Sequence, residues 1–268
     1  MKKLLLILFC LPFIGFGQQT YVPDDAFEQK LINLGLDNIL DDYIDNINIY
    51  NTTSLNLINC NISDLTGIEG FVNMHSLFAS DNQLINLDLS NNINLTQVFL
   101  TNNEIDYLNV SSLVNLTRLE CNYNNLTSID LSNNILLEQL RIKNNNLNSL
   151  NLSNNPNLFA LTLSYNFLTH LDLRNGNNTS INPDLRNNFF LYCINVDDTL
   201  YSTNNWSYRE SQHYFSTNCP PTLIQEHTTN KELLKVADLL GKKTKDTKNE
   251  ALFYIYDDGT VEKRIVIE

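Results

Sequence analysis

Apolar residues recur through the middle of the chain at intervals of 21 residues, after a first interval of 22. Each copy has the pattern Leu-x-Leu-x-x-Asn-x-Leu, in which another apolar residue can replace a Leu and Cys60 takes the Asn place in the first copy. The alternation predicts a short strand with one face turned inward. One strand cannot bury that face alone, so the copies are predicted to stack around one continuous core. The copies begin at Leu55, Leu77, Val98, Leu119, Leu140 and Leu161.

A second apolar segment occupies the other half of each repeat, with copies that begin at Leu87, Leu108, Ile129, Leu150 and Leu171. Between the two halves, an asparagine stands where the chain turns out of each first-half strand. Its amide can donate and accept hydrogen bonds, so it is predicted to satisfy turn backbone groups that no ladder reaches. These residues are Asn82, Asn103, Asn124, Asn145 and Asn166.

The repeats resemble the leucine-rich-repeat consensus over more than 100 residues. The resemblance implies an α/β solenoid, a right-handed coil of 21-residue repeats with a parallel β-sheet on its concave side. Outward-facing strand residues would line that face in columns. The middle column would contain Asn56, Phe78, Phe99, Glu120, Arg141 and Thr162. One flank would run from Ser54 to Ala160, and the other from Ile58 through Lys143 to Ser164.

Two features of these columns predict a ligand-binding face. Two phenylalanines are neighbours, and three basic residues cluster although residues 18–230 contain only seven basic residues against 22 acidic ones. Aromatic anchors beside arginine are typical of interface hot spots. The alternative is that the phenylalanines are present because aromatic residues favour strands, and that the basic residues pair with Glu120 and serve solubility. The candidate binding residues are Phe78, Phe99, Arg118, Glu120, Arg141 and Lys143.

Both ends of the repeat array need a cap, because an open end would expose the core. Residues 23–34 predict a helix with Asp24 as its N-cap, with Phe27, Leu31 and Leu34 on one face and Gly35 as its stop. The N-terminal cap is expected over residues 18–50 and the repeats over 51–186.

The C-terminal cap is expected over residues 187–221, where the repeat pattern fails and aromatic residues accumulate before Cys219. Cys193 and Cys219 stand apart from the repeats, and their pairing in a disulfide is the natural one. Cys60 and Cys121 lie inside the repeats and are expected to be buried free thiols.

The two termini predict export. Lys2 and Lys3 precede a short apolar run that ends at Gly15-Phe-Gly17, which predicts a signal peptide over residues 1–17, cleaved before Gln18. After Cys219-Pro-Pro the composition changes, and residues 222–268 are expected to form a small β-rich tail with strands at 235–242, 252–260 and 261–268. Gly241 and Asp258-Gly259 would supply its turns. No later run is apolar for long enough to cross a bilayer.

The tail, over "DLLGK" and "YIYDDGTVEKRIVIE", resembles the type A C-terminal sorting domain of the type IX secretion system of Bacteroidetes. It lacks the "YPNP"-like opening usual in that domain, so the sorting domain is expected to be short. The whole chain, with "YVPDDAFEQKLINLGLDN", the repeats and "CINVDD", resembles flavobacterial secreted leucine-rich-repeat proteins. This resemblance implies a secreted or cell-surface protein whose partners include the type IX machinery.

The net charge of −15 over residues 18–230 argues against nucleic acid as a partner. The four histidines show no metal-ligand spacing, and no nucleophile or phosphate-binding motif occurs. We therefore expect no cofactor, metal or catalytic residue. The favoured function is a non-enzymatic adhesion module that binds protein or glycan on the concave sheet. The alternatives are a self-associating envelope protein and, less favoured, a hydrolase with an atypical site.

Overall fold

The computed structural model describes residues 18–220 and three strands in the tail, at 233–237, 251–256 and 261–265. The chain divides into two compact units, Met1–Pro220 and Pro221–Glu268. The predicted signal peptide and the turns predicted at Gly241 and Asp258-Gly259 lie outside the described residues. Within the described part, no helix combines the length and the apolarity that crossing a membrane requires.

The first halves of the repeats form a parallel sheet of six strands. In each strand the central residue is buried and the two outer residues reach the surface, as the alternation predicts. The predicted parallel sheet is therefore confirmed. Its strands are β3 (Ser54–Asn56), β4 (Ser76–Phe78), β5 (Gln97–Phe99), β6 (Arg118–Glu120), β7 (Gln139–Arg141) and β9 (Ala160–Thr162).

A second parallel sheet lies in the other half of the later repeats. It consists of β8 (Ser149–Asn151), β10 (His170–Leu173), β11 (Cys193–Val196) and β12 (Tyr214–Ser216), in the order β12-β11-β10-β8. The repeat pattern predicted apolar segments here but no sheet. In the earlier repeats the corresponding segments show one isolated bridge, Asp88 to Asn109.

Between the two sheets, the repeat leucines form one continuous core that extends from Val22 to Trp206. Most of its leucines, such as Leu77, Leu119 and Leu140, have no exposed surface. Full burial of such a side chain contributes about 2 kcal/mol, so the stacked coils account for most of the apolar stabilisation.

The asparagines at the strand ends form a ladder between successive coils. Asn124 accepts a hydrogen bond from the Ile105 amide at 3.0 Å and donates to the Leu100 carbonyl at 2.9 Å, both in the preceding coil. It also donates to the Cys121 carbonyl of its own coil. The predicted role of these asparagines is confirmed, and a sixth continues the ladder. The members are Asn82, Asn103, Asn124, Asn145, Asn166 and Asn188.

Helix α1 (Asp25–Asn33) forms the predicted N-terminal cap, with β1 (Gln19–Tyr21) and β2 (Tyr43–Asp45) paired antiparallel and a short α2 (Asn46–Ile49). The Asp24 carboxylate accepts from the Ala26 and Phe27 amides, which confirms the N-cap. Gly35 follows the helix with φ of +72°, a conformation that favours glycine.

The predicted apolar face of α1 is wrong at one residue. Phe27 and Leu31 are fully buried, but Leu34 is 44% exposed. Leu34 is the C-cap residue, at the end of the helix, where its side chain is only partly covered.

The C-terminal cap contains helix α3 (Thr199–Asn205), which the sequence pattern did not predict. The buried Trp206 packs edge-on against Phe215, with ring centroids 5.2 Å apart. The disulfide between Cys193 and Cys219 is confirmed, with its Cα atoms 5.7 Å apart. It joins β11 to the segment after β12, and so ties the last strand to the solenoid.

The two cysteines of the repeats are both free thiols, but they differ in burial. Cys121 is fully buried, as predicted, whereas Cys60 is only half-buried. Cys60 occupies the turn position that asparagine takes in later coils. Its thiol donates to the Ile58 carbonyl rather than entering the core, so the prediction of a buried Cys60 was wrong.

The tail strands are β13 (Leu233–Ala237), β14 (Ala251–Tyr256) and β15 (Val261–Ile265). They form an antiparallel sheet in the order β13-β14-β15. The three strands predicted from the sequence are present, and the first begins two residues earlier than expected.

Candidate functional site

The register of the six-stranded sheet aligns the predicted middle column without a gap. Phe78 pairs with Phe99, Phe99 with Glu120, and Glu120 with Arg141. The flank that contains Arg118 is aligned in the same way, with Gln97 before it and Gln139 after it. Neighbouring parallel strands lie about 4.8 Å apart, so the side chains of one column contact each other.

Phe78 and Phe99 form a stacked pair on this face. Their ring centroids are 4.7 Å apart, and the ring planes differ by 7°. The Arg118 guanidinium lies 4.8 Å from the centre of the Phe99 ring. Both rings are half-buried, because each covers the other while an outer surface faces solvent. Three consecutive coils thus present one continuous aromatic and guanidinium surface.

Glu120 joins two arginines on the same face. It accepts from the Arg118 Nε at 2.9 Å, and the Arg141 guanidinium lies 3.4 Å from the same carboxylate oxygen. The Glu120 side chain is largely buried, whereas the arginines are more exposed. The ion pairing proposed as the alternative is therefore present. One carboxylate neutralises only one of two guanidinium groups, so a positive charge remains on this face.

Lys143 adds a second cation at the edge of the sheet. Its ammonium nitrogen lies 5.1 Å from the centre of the Tyr165 ring and 5.7 Å from that of Tyr123. Both distances are within the range of cation–π attraction. We call Phe78, Phe99, Arg118, Glu120, Arg141 and Lys143 the concave ladder. Direct contacts connect the first five of these residues, and Lys143, two residues after Arg141, lies against the tyrosine rings.

Ser164 departs from the predicted outer column that contains Lys143. Its side chain is buried rather than exposed. The following coil closes over it, since Thr162 forms a bridge with Asp184 and the Leu163 amide donates to the Asp184 carbonyl at 2.8 Å. The exposed part of that column therefore ends at Lys143.

Solved structures contain the same arrangement of stacked coils. The functional domain of InlJ from Listeria monocytogenes, which includes a cysteine ladder, matches with a TM-score of 0.55 and 26% identity, over 76% of this chain and 50% of that one. An internalin, inlF, from the 4b F2365 strain matches with a TM-score of 0.53 and 23% identity, over 73% of this chain and 56% of that one. This is a leucine-rich-repeat fold.

The leucine-rich-repeat chain spans about half the length of the two solved structures it matches. No protein-family model matches its sequence, and no curated protein matches it. The likeness therefore establishes the solenoid architecture, while the ladder that joins the coils here is built from asparagine amides.

Sequence reasoning missed a set of tyrosines beside the concave ladder. Tyr123 and Tyr165 are about half exposed, and each directly precedes one of the asparagines that join successive coils. At the equivalent place in other coils stand Asp81, Asn102 and Asn144. The replacement of a short polar residue by tyrosine at a fixed repeat position is the signal that could have identified them.

Two titratable side chains of the described part, Cys121 and His213, are deeply buried. No group of three His, Cys, Asp or Glu side chains in this part of the chain is arranged to hold a metal ion. Burial, with the neighbouring Glu120 carboxylate, raises the pKa of the Cys121 thiol far above its usual range, so the nucleophilic thiolate is suppressed. Burial also lowers the pKa of His213, which packs in the C-terminal cap with Nε2 3.4 Å from the Asn188 carbonyl. These groups serve packing rather than reaction chemistry.

Proposed function

We propose that this protein is an exported, non-enzymatic leucine-rich-repeat module that binds a protein partner on its concave ladder. The observation that carries the proposal is the stack of Phe78, Phe99 and Arg118 beside the Glu120–Arg141 pair. Rigid aromatic anchors next to arginine are the residue types that dominate binding energy at interfaces. The internalin match supports an interaction module at the level of the fold.

The charge of the concave ladder favours an acidic partner. Arg118, Arg141 and Lys143 outnumber Glu120, although the chain is strongly acidic elsewhere. A partner carboxylate near Arg141 would neutralise the residual positive charge, and an apolar side chain on the Phe pair would exclude water from it. The partner segment is thus expected to combine acidic and apolar residues.

Export is the second part of the proposal. The Cys193–Cys219 disulfide supports it, because such bonds persist in oxidising compartments. The resemblance of residues 222–268 to a type A sorting domain supports passage through the type IX machinery, after removal of a signal peptide at residues 1–17. A reporter inserted between residues 221 and 222 should reach the surface of a bacterium that has the type IX system. The same reporter without residues 222–268 should not reach it. Equal export without the tail would contradict this route.

Binding can be tested by capture from environmental or host extracts with the mature chain, residues 18–268. The Phe99→Ala/Arg141→Ala variant should capture at least tenfold less of each protein that the wild type captures specifically, because both an anchor and a charge are removed. Tyr107→Ala is the matched control, since Tyr107 is exposed and lies off both sheets.

Two outcomes would contradict the binding proposal. One is equal capture by the wild type and the double variant, with both proteins shown to be folded by their melting curves. The other is concentration-dependent oligomerisation of the wild type in light scattering that the double variant lacks. That result would instead support the self-associating envelope protein.

A further inference from the structure

A groove lies at the edge of the solenoid, beside the turns that follow the last strands of the six-stranded sheet. Its volume is about 430 Å³, which is within the range of small-ligand sites, about 300–1,000 Å³. The residues that line it come from four successive coils. We call it the rim groove, and its defining residues are Asn144, Asn146, Tyr165, Phe167, Phe189 and Phe190.

The aromatic rings of the rim groove are exposed. Phe167 is 54% exposed, and Phe189 and Phe190 are 60% and 59% exposed. None of these rings adds to the core, which the repeat leucines already fill. Large apolar side chains that gather on a surface around a concavity mark a binding site.

The backbone at Tyr165 strengthens this interpretation. In six coils the residue before the ladder asparagine has φ between 53° and 61°, the left-handed region. Short Asn or Asp side chains tolerate this conformation, and bulky side chains seldom adopt it. Tyr165 adopts it with φ of 60° and yet remains half exposed. Lys143 lies over the Tyr165 ring, and the exposed half of the side chain remains available to contact a ligand.

The rim groove is lined by uncharged side chains, although residues 18–230 have a net charge of −15. Neither an anionic nor a cationic ligand would find a side chain of opposite charge among the lining residues. Charge complementarity therefore points to a neutral ligand.

The amides at the groove supply the polar half of the recognition. Asn145 and Asn166 are buried, and their amides already bond to backbone groups of the preceding coil. They therefore form part of the groove wall but do not face a ligand. Asn146 is exposed, and its amide nitrogen donates to the Asn125 carbonyl at 3.3 Å, which orients the side chain. Asn144 is half-buried beside it. An amide can donate and accept at once, which suits adjacent hydroxyl groups.

We propose that the rim groove binds a neutral oligosaccharide. The apolar C–H faces of pyranose rings stack on Tyr165, Phe167 and the Phe189–Phe190 pair, and their hydroxyls bond to the Asn144 and Asn146 amides. The site does not include Phe78, Phe99 or Arg141. It meets the concave ladder where Lys143 lies over the Tyr165 ring, so its test uses Phe167 and Phe189, which lie outside the concave ladder.

The test is a glycan array with neutral and anionic oligosaccharides, followed by isothermal titration of the best neutral hexasaccharide against the mature chain. Neutral glycans are expected to bind with Kd on the order of 0.1–1 mM. Phe167→Ala and Phe189→Ala should each weaken binding about tenfold, because each removes one stacking ring. Phe99→Ala should leave glycan binding unchanged.

Phe159→Ala is the matched control, since Phe159 is 49% exposed and does not line the groove. It should bind the hexasaccharide like the wild type, and all variants should melt at the same temperature. The absence of binding by any neutral glycan would overturn the proposal. So would a preference for anionic glycans, or equal weakening by Phe159→Ala and Phe167→Ala.

Discussion

Asn124 shows how a single side chain can join two coils. Its amide oxygen and nitrogen reach the Ile105 amide and the Leu100 carbonyl of the preceding coil, at 3.0 and 2.9 Å. Leucine would fit the apolar surroundings but could satisfy neither group. A buried backbone group without a hydrogen bond costs about 1–3 kcal/mol, which explains why asparagine recurs at this place.

The ladder leads to a prediction about stability. Asn124→Ala leaves the buried Ile105 amide without its acceptor, while the Leu100 and Cys121 carbonyls keep donors from Asn103 and Asn145. The substitution should lower the free energy of unfolding by about 1–3 kcal/mol in urea denaturation. Asn125→Ala is the control, because the adjacent Asn125 is exposed and donates one bond, to Glu104 at 3.2 Å. It should cost less than about 0.5 kcal/mol. Similar losses for the two variants would refute a structural role for the ladder.

At this scale the sequence predicted the roles of repeated residues better than those of single ones. The position of Asn124 follows from the period, because every coil has the same backbone to satisfy. Leu34 and Cys60 have no equivalent in other repeats, and their burial depends on where the chain leaves a helix or a turn. The Phe189–Phe190 pair was missed because it lies after an interval of 22 residues, where the 21-residue alignment fails.

Besides the burial of Phe27 and Leu31, one carboxylate joins the first helix to the solenoid. One oxygen of Asp24 caps α1 through Ala26 and Phe27, and the other accepts from the Ser63 amide, the Ser63 hydroxyl and the Asp64 amide at 2.9–3.0 Å. Burial alone would raise the pKa of Asp24. The hydrogen bonds outweigh that effect, so the pKa is lowered below its ordinary value.

The lowered pKa of Asp24 predicts an acid-dependent stability. The contribution of Asp24 is complete above its unfolded pKa, near 4, and is lost as the pH falls through the lower folded pKa. In urea titrations, the gap in unfolding free energy between wild type and Asp24→Asn should therefore be larger at pH 7 than at about pH 2. The gap for Asn125→Ala should stay constant, since that variant keeps every carboxylate. A pH-independent gap for Asp24→Asn would contradict the assignment.

The C-terminal cap gives a prediction about redox state. The Cys193–Cys219 bond closes a loop with a sequence separation of 26, for which the chain-entropy model gives about 3 kcal/mol. Dithiothreitol should lower the melting temperature, as followed by fluorescence of the single tryptophan, Trp206. The Cys193→Ser/Cys219→Ser variant should melt at the lower temperature with or without the reductant. No difference between oxidised and reduced wild type would rule out a stabilising role.

Elements with a local signal were predictable, and those that depend on the alignment of two coils were not. Helix α1 has an N-cap, an apolar face and a glycine stop in its own sequence. The second sheet has no such signal, because Leu150-Asn-Leu in a strand and Leu87-Asp-Leu outside one have the same pattern.

Across the whole molecule, charge is distributed unevenly. Residues 18–230 contain 22 acidic and seven basic residues, and three of the seven lie in the concave ladder. The rest of the surface therefore repels itself, which opposes the compact state. The same imbalance directs acidic partners towards one face.

The excess of acidic residues predicts stabilisation by salt. Raising NaCl from about 10 mM to about 150 mM shortens the screening length from about 30 Å to about 8 Å, and should raise the melting temperature at pH 7.5 by a few degrees. Near pH 4.6, the isoelectric point of the full sequence, the same change should have little effect. A melting temperature that falls with salt at pH 7.5 would show that ion pairs outweigh the repulsion.

Each ladder asparagine bonds to backbone groups of the coil before its own, which has a consequence for how the solenoid is completed. A newly formed coil therefore keeps buried backbone groups without hydrogen bonds until the next coil supplies its asparagine. In a chain that emerges from the membrane N-terminus first, each coil would be fully hydrogen-bonded only after the next coil has emerged. The last turn would wait for Asn188 and for the cap beyond it.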